Sequence, residues 1–436
     1  MQENDAQLRS RIRRALGIAE PDPGLRARVI DSMPIDIGGG GTRWQWAAGG
    51  IAVLLAVTTV AGLIFVRKGT SVHPAAAGHV VGSLNMTTQL GFRCTLPVVG
   101  YLTEARVSLP EGGVTVDQTQ SLGSKGGPYG VVYASGRWLP VQAAAVSPDG
   151  RSYAYSTTTS GVPGEQPTSA VFVHDIATGK NRQLWSGQST SQVVGWGPGG
   201  IYFSRQSSSV PGPPPSAEMW VVDPANPGAA HRLASNPAPQ PSVGTFSRTG
   251  GGAAWAVSYG QIVRPPGDSI PSTPPSEIKR MDIRDGSLST WFTAPEGVFV
   301  NLAGTDAQGH PVLILNSVVK LAPPTPQTSP TPYLPPPPRV LLLTGPNQTV
   351  DIASGSDPAF RPSQALGDSH GIWFSSPGSL WLYRNGALDK IADVPAELFP
   401  LPTPPPGLPG KGSVTPASPP AGYPTGISLG LGGACT

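Results

Sequence analysis

The chain has 436 residues, with 56 Gly, 52 Pro and only 13% charged side chains. That much Gly and Pro excludes a mainly helical protein and is what a turn-rich β domain with Pro-rich insertions needs. A formal charge of +3, nowhere concentrated on the folded part, is not the electrostatic footprint of a nucleic-acid-binding protein.

Residues 1–43 form a basic tail. Leu8, Ile12 and Leu16 recur every four residues, as do Leu25, Val29 and Met33, each run among arginines. Asp22 before Pro23 suits an N-cap followed by Pro at the first helical position, so two short amphipathic helices are predicted. Residues 44–66, WQWAAGGIAVLLAVTTVAGLIFV, then read as one membrane-spanning helix. At 1.5 Å per residue they reach roughly 34 Å, enough for a hydrocarbon core of about 30 Å. Trp44 and Trp46 suit one membrane interface, and Arg67 and Lys68 the other. Arg9, Arg11, Arg13, Arg14, Arg26, Arg28 and Arg43 outnumber the basic residues just beyond the span, which places the amino terminus in the cytoplasm. The apolar run begins too late for a cleaved signal peptide and reads as an uncleaved anchor. This layout resembles that of transmembrane anti-sigma factors, which would imply a cytoplasmic partner for the tail. The alternative is that the arginines only fix topology and touch lipid headgroups.

Residues 67–94 read as a linker, and 95–394 as a repeat of short strands. The clearest copy runs VQAAAVSPDG, RSYAYSTT, a loop, AVFVHDIATG and NRQLW. Tyr153 and Tyr155 alternate with Ala154, and Phe172 with Val171 and Val173, which is the period of a strand. Ser147-Pro148-Asp149-Gly150, Tyr153-Ala154-Tyr155, and Asp175 before Thr178-Gly179 resemble the repeat of TolB-like and WD40-like bacterial β-propellers. The unit recurs with drift, six times in all, each with four strands. The expectation is therefore an all-β, six-bladed propeller, because one small twisted sheet buries both faces only by packing on neighbours. The Pro-rich runs 207–217, 264–276 and 323–338 fall between second and third strands, and so on one face of the disc. They serve either as spacers or as a recognition face. Residues 395–436 read as a Pro-rich strap.

Cys94 and Cys435 belong to no CxxC pair and no His cluster. They are either two unrelated thiols or one disulfide of an oxidising compartment. A propeller brings its ends together, so the pair is predicted to be bonded. Gly426-Ile427-Ser428-Leu429-Gly430 matches GxSxG, but a nucleophile elbow also needs a following helix and downstream acid and His. His73, His79, His174, His231, His310 and His370 are scattered, and Asp149, Asp175, Asp223, Asp282 and Asp306 occupy turn positions that structure alone explains. No catalytic residue, metal site or cofactor is therefore predicted.

The propeller resemblance implies a binding, sensing or scaffold module outside the cytoplasm, its partner a protein or glycan at the cell surface. The first strands of the blades would line an axial funnel, making Arg106, Gln192, Thr245, Asn301 and Arg361 candidate wall residues. The alternative is an enzyme with an axial site, a lyase or a lactonase-like hydrolase.

Overall fold

The computed structural model describes residues 78–100, 103–118, 130–159, 167–206, 217–233, 248–250, 252–259, 276–317, 336–355, 357–399 and 429–436. The chain divides into Met1–Lys68 and Gly69–Thr436. The tail, the expected span at 44–66 and its flanks Trp44, Trp46, Arg67 and Lys68 all lie outside the described residues. Among the described residues, no helix is long and apolar enough to cross a membrane.

The described chain is all-β, interrupted only by 3-10 turns at Ala143–Ala145 and Ala396–Leu398. It opens with β1 (His79–Ser83), β2 (Asn85–Met86), β3 (Cys94–Val99), β4 (Glu104–Leu109) and β5 (Gly113–Gln118). A short ribbon, β6 (Val132–Ala134) and β7 (Arg137–Leu139), leads to β8 (Ser152–Thr159), β9 (Thr168–Asp175) and β10 (Asn181–Gln188). Next come β11 (Thr190–Gly197), β12 (Gly200–Gln206), β13 (Ala217–Val222) and β14 (His231–Arg232). They are followed by β15 (Arg248–Gly250), β16 (Ala253–Tyr259), β17 (Ser276–Asp282) and β18 (Leu288–Thr293). Then β19 (Val298–Thr305), β20 (Pro311–Ser317), β21 (Arg339–Gly345) and β22 (Gln348–Ala353) repeat the pattern. The chain closes with β23 (Gln364–Asp368), β24 (Gly371–Ser376), β25 (Ser379–Arg384), β26 (Ala387–Asp393) and, far beyond, β27 (Gly430–Leu431).

Three consecutive sheets, β11–β14, β15–β18 and β19–β22, are plain four-stranded antiparallel meanders. Tight turns join several of their strands, as at Gly197–Gly200 and Gly345–Gln348. The equivalent β25–β26 connection, for instance, is Asn385-Gly386 with φ of 52° and 79°, the two-residue turn that matches strand twist. First strands pack on first strands: β11 on β15, β15 on β19, β19 on β23 and β23 on β27. Gly304 and Gly367 mark how close this approach is, since a Cβ on either would overlap the backbone of the neighbouring sheet. Successive sheets of four strands around their first strands make a β-propeller.

The core lies between the sheets. Phe203, Ile201 and Val222 pack against Ala154, Val171 and Leu184 of the preceding sheet. Tyr202, Met219 and Val221 present their other face to Ala254, Ala256 and Met281 of the next. Alternation along each strand thus feeds two cores at once, which is why these strands read as nearly continuous apolar runs.

The two ends of the ring are built differently. The first sheet runs β1-β5-β4-β3-β27 and the last β2-β26-β25-β24-β23, so each chain end adds a strand. β27 pairs with β3 at Gly430↔Val99 and Leu431↔Val98. β2 pairs with β26 at Asn85↔Asp393 and Met86↔Ala392. Cys94 and Cys435 form a disulfide across this junction, with Cα atoms 5.5 Å apart.

Several expectations are corrected here. Strands β1 and β2 lie in the stretch expected to be a linker, and β27 in the stretch expected to be a strap. The segments 131–141, expected to complete the first repeat, leave that sheet as the ribbon β6–β7. The ribbon wedges between the first and second sheets: Val132 and Leu139 pack on Tyr153 and Ile176, while Trp138 Nε1 donates to Asp117 Oδ2 at 2.9 Å. The segment VQAAAVS, expected to be a full strand, is a 3-10 turn with one bridge, Val146↔Tyr153. Three successive alanines favour a strand weakly, and the Ala145 carbonyl accepts Trp196 Nε1 at 2.7 Å instead of a ladder partner. The Pro-rich runs lie almost wholly outside the described residues, bracketed by second and third strands in three sheets.

Candidate functional site

Where β19, β23 and β27 meet the flanks of the ribbon, a cavity of about 530 Å³ opens. Its walls are Leu302 and Ala303 of β19, Ser363, Gln364 and Leu366 at β23, residues 429–433 around β27, and residues 130–132 and 142–143 flanking the ribbon. Val131, Val132, Leu429 and Leu431 present buried aliphatic surface. Gln142, Ser363 and Gln364 supply amide and hydroxyl groups. The described lining contains no titratable side chain. Such a surface buries apolar parts of a ligand and orients it with a few hydrogen bonds.

One wall is held by a side chain acting as a strand. Gln364 Nε2 donates to the Leu431 carbonyl at 3.2 Å, and the Leu431 N–H donates back to Gln364 Oε1 at 2.8 Å. An amide side chain carries both donor and acceptor, so it satisfies both backbone groups of an edge residue. Just beyond the cavity, the nearly buried Asp368 accepts the Cys435 N–H and Trp373 Nε1, each at 2.9 Å. Gly432 lets the chain pass Trp138, since a Cβ there would lie 2.6 Å from the indole.

Of the expected wall residues, Gln192 stands on β11 and Asn301, exposed, on β19, both first strands of their sheets. Arg361 precedes β23, its backbone N–H donating to Ser376 Oγ at 3.1 Å. None of the three lines the cavity. Thr245 lies outside the described residues. Arg106 is misplaced by the sequence reading, because β27 and β3 take the two innermost places in its sheet and push β4 outward. Its guanidinium instead donates twice to the buried Asp117, both bonds at 2.7 Å, and lies over the Tyr133 ring. These bonds to Asp117 raise the Arg106 pKa above its ordinary value. Gln142, Ser363, Gln364 and the C-terminal lining were missed; for the last, the period-two alternation of Ile427, Ser428, Leu429, Gly430 and Leu431 was a usable strand signal.

The five turn aspartates do structural work. Asp149, Asp223, Asp282 and Asp306 each accept the N–H two residues on, and Asp175 the one three residues on, at 2.7–3.0 Å. The Ser147 hydroxyl depresses the Asp149 pKa, the Thr178 N–H that of Asp175, and the Arg284 side chain that of Asp282. The histidines stand apart: His174 Nδ1 meets Asn181 Oδ1 at 2.7 Å, His310 Nδ1 meets Asp306 at 2.9 Å, and His370 stacks on Phe92. Among the described residues, no three His, Cys, Asp or Glu side chains group to hold a metal. Ser428 lies outside the described residues.

No family model and no curated protein matches the chain. Among solved structures it is similar to the oligogalacturonate lyase of Vibrio parahaemolyticus, at 11% identity and TM-score 0.39, covering 74% of this chain and 100% of that one. It is similar to the β-propeller domain of the Trilobed protease from Pyrococcus furiosus, at 12% identity and TM-score 0.34, covering 70% and 85%. TolB from Acinetobacter baumannii is similar at 12% identity and TM-score 0.32, covering 71% of this chain and 65% of TolB.

Proposed function

We propose that this is a six-bladed propeller, anchored by the helix at 44–66 with its amino terminus in the cytoplasm, that binds a protein segment or glycan outside the cytoplasm in its axial cavity. The observation that carries this reading is the cavity itself, aliphatic walls with amide and hydroxyl groups where β19, β23 and β27 meet the ribbon. A disulfide spanning almost the whole folded unit supports an oxidising compartment. The length and apolarity of 44–66 and the arginine excess before it support the anchor.

A photo-crosslinking residue placed at Gln142, compared with one at the exposed Val80 on β1, tests the site in intact membranes. Capture of a discrete partner from Gln142 and not from Val80 is expected. Capture from neither, or equally from both, would refute an axial site. A cytoplasm-active reporter fused before Arg43 should work, and one fused after Thr436 should not; the reverse pattern would refute the topology.

A further inference from the structure

We propose that residues 429–436 are an oxidation-dependent latch that forms one wall of the axial cavity, with Gln364 as its positioning residue. The proposal rests on reading that cavity as the binding site. The latch is a poor strand by itself: β27 is two residues long and pairs only with β3. It stands far in sequence from both β3 and β26, so bringing it into the first sheet carries a loop-closure cost.

Leu429 and Leu431 are buried in the junction core, Tyr133 N–H donates to the Gly432 carbonyl at 2.6 Å, and three further kinds of contact hold the segment there. The backbone bonds of Gly432 to Pro97 and of Thr436 with Thr95, at 2.7–3.1 Å, extend the pairing past β27. Gln364 and Asp368 reach across from the last sheet to Leu431 and Cys435. The disulfide ties Cys435 to Cys94 at the start of β3. Only the last is covalent, and it shortens the tether over which every other contact forms, raising their effective concentration. Residues 429–433 are at the same time cavity wall. The bond that closes the ring is therefore the bond that completes the site.

The chemistry is thiol–disulfide exchange with a disulfide donor of the exporting compartment. One cysteine thiolate attacks the donor disulfide, the second resolves the mixed disulfide, and the donor leaves as a dithiol carrying the two electrons and two protons. Cys94 and Cys435 are 9% and 4% exposed, so the finished bond is shielded from later attack. Chain that has not been oxidised lacks a fixed wall, which confines binding to the oxidising side of the membrane.

Hydrogen exchange of the full-length protein in detergent, with an uncharged naphthalene dye as cavity probe, tests this. Oxidised protein should protect 429–436 and take up the dye. Reduction, or the Cys94→Ala/Cys435→Ala pair, should raise exchange in 429–436 by about tenfold or more, leave β12, β13, β20 and β21 clearly better protected than that segment, and reduce dye uptake. Gln364→Ala should raise exchange at Leu431 with the disulfide intact. Unchanged exchange in 429–436 after reduction would overturn the latch, and so would exchange of β12 and β20 as fast as that of 429–436, which would mean that the segment opens only with the whole fold. Oxidised protein that takes up no dye would overturn the cavity reading, while the exchange data still decide the latch.

Discussion

Between the sheet of β11–β14 and that of β15–β18, packing is a matter of neighbours in sequence. Val194, Tyr202, Met219 and Val221 meet Ala254, Ala256, Met281 and Ile283, and the described core there is apolar. Between the last sheet and the first, the apolar core of Leu96, Val107, Trp373 and Leu382 is joined by Cys94, Leu429, Leu431 and Cys435 from opposite ends of the folded unit. There the Gln364 and Asp368 side chains bond to backbone, and a disulfide crosses the junction. Strands of a local meander are neighbours in sequence, so even their longer connections are short beside the 341 residues between Cys94 and Cys435, and closing them costs less entropy. A ring junction has no such connection and must hold remote segments by other means.

The comparison breaks most sharply at the disulfide. Cys94→Ala/Cys435→Ala should lower stability by as much as about 5 kcal/mol, given the length of the loop it closes, read as the denaturation midpoint of the full chain. A midpoint that hardly moves would mean the junction is held by packing, like any other seam. Met281→Ala, in the local seam, should follow at about 3 kcal/mol for the cavity left by a buried side chain. It should leave exchange in 429–436 as it was; deprotection there would show that the two seams are not independent.

Smaller effects sharpen the picture. Trp138→Phe keeps the aromatic packing of the ribbon and removes the indole donor from Asp117, which should cost about 1 kcal/mol in the same denaturation experiment. No loss would mean that Arg106 alone satisfies Asp117. The weakest expected effect is acid sensitivity at the turn after β17. Asp282 is held below its ordinary value of 3.8, first by the Arg284 side chain and then by the Arg284 N–H. Below that value the unfolded chain binds more protons than the folded one. The contribution is therefore complete above about pH 4 and lost as pH falls toward the folded value. Asp282→Asn should flatten the acid limb of a melting-temperature profile slightly, and an unchanged limb would contradict the assignment.

What sequence alone determined follows from local physics. Alternation in 153–155 and 171–173 announces strands, Asp-Gly and Asn-Gly announce their turns, and four strands per repeat announce sheets that must pack on neighbours. Even the roles of Asp149, Asp175, Asp223, Asp282 and Asp306 were legible, because an Asx turn is complete within a few residues. What only the tertiary structure decided lies where the partner is far along the chain. Nothing near Gln364 in sequence says that its amide will stand in for a strand beside Leu431. Nothing near Val132 and Trp138 says that their ribbon will leave the first sheet and fill the gap to the second. Arg106 was expected on the axis because its strand reads as the first of its blade, whereas β27 and β3 lie inside it. Register along a strand is a local property, but the order of strands around a closed ring depends on how its ends meet.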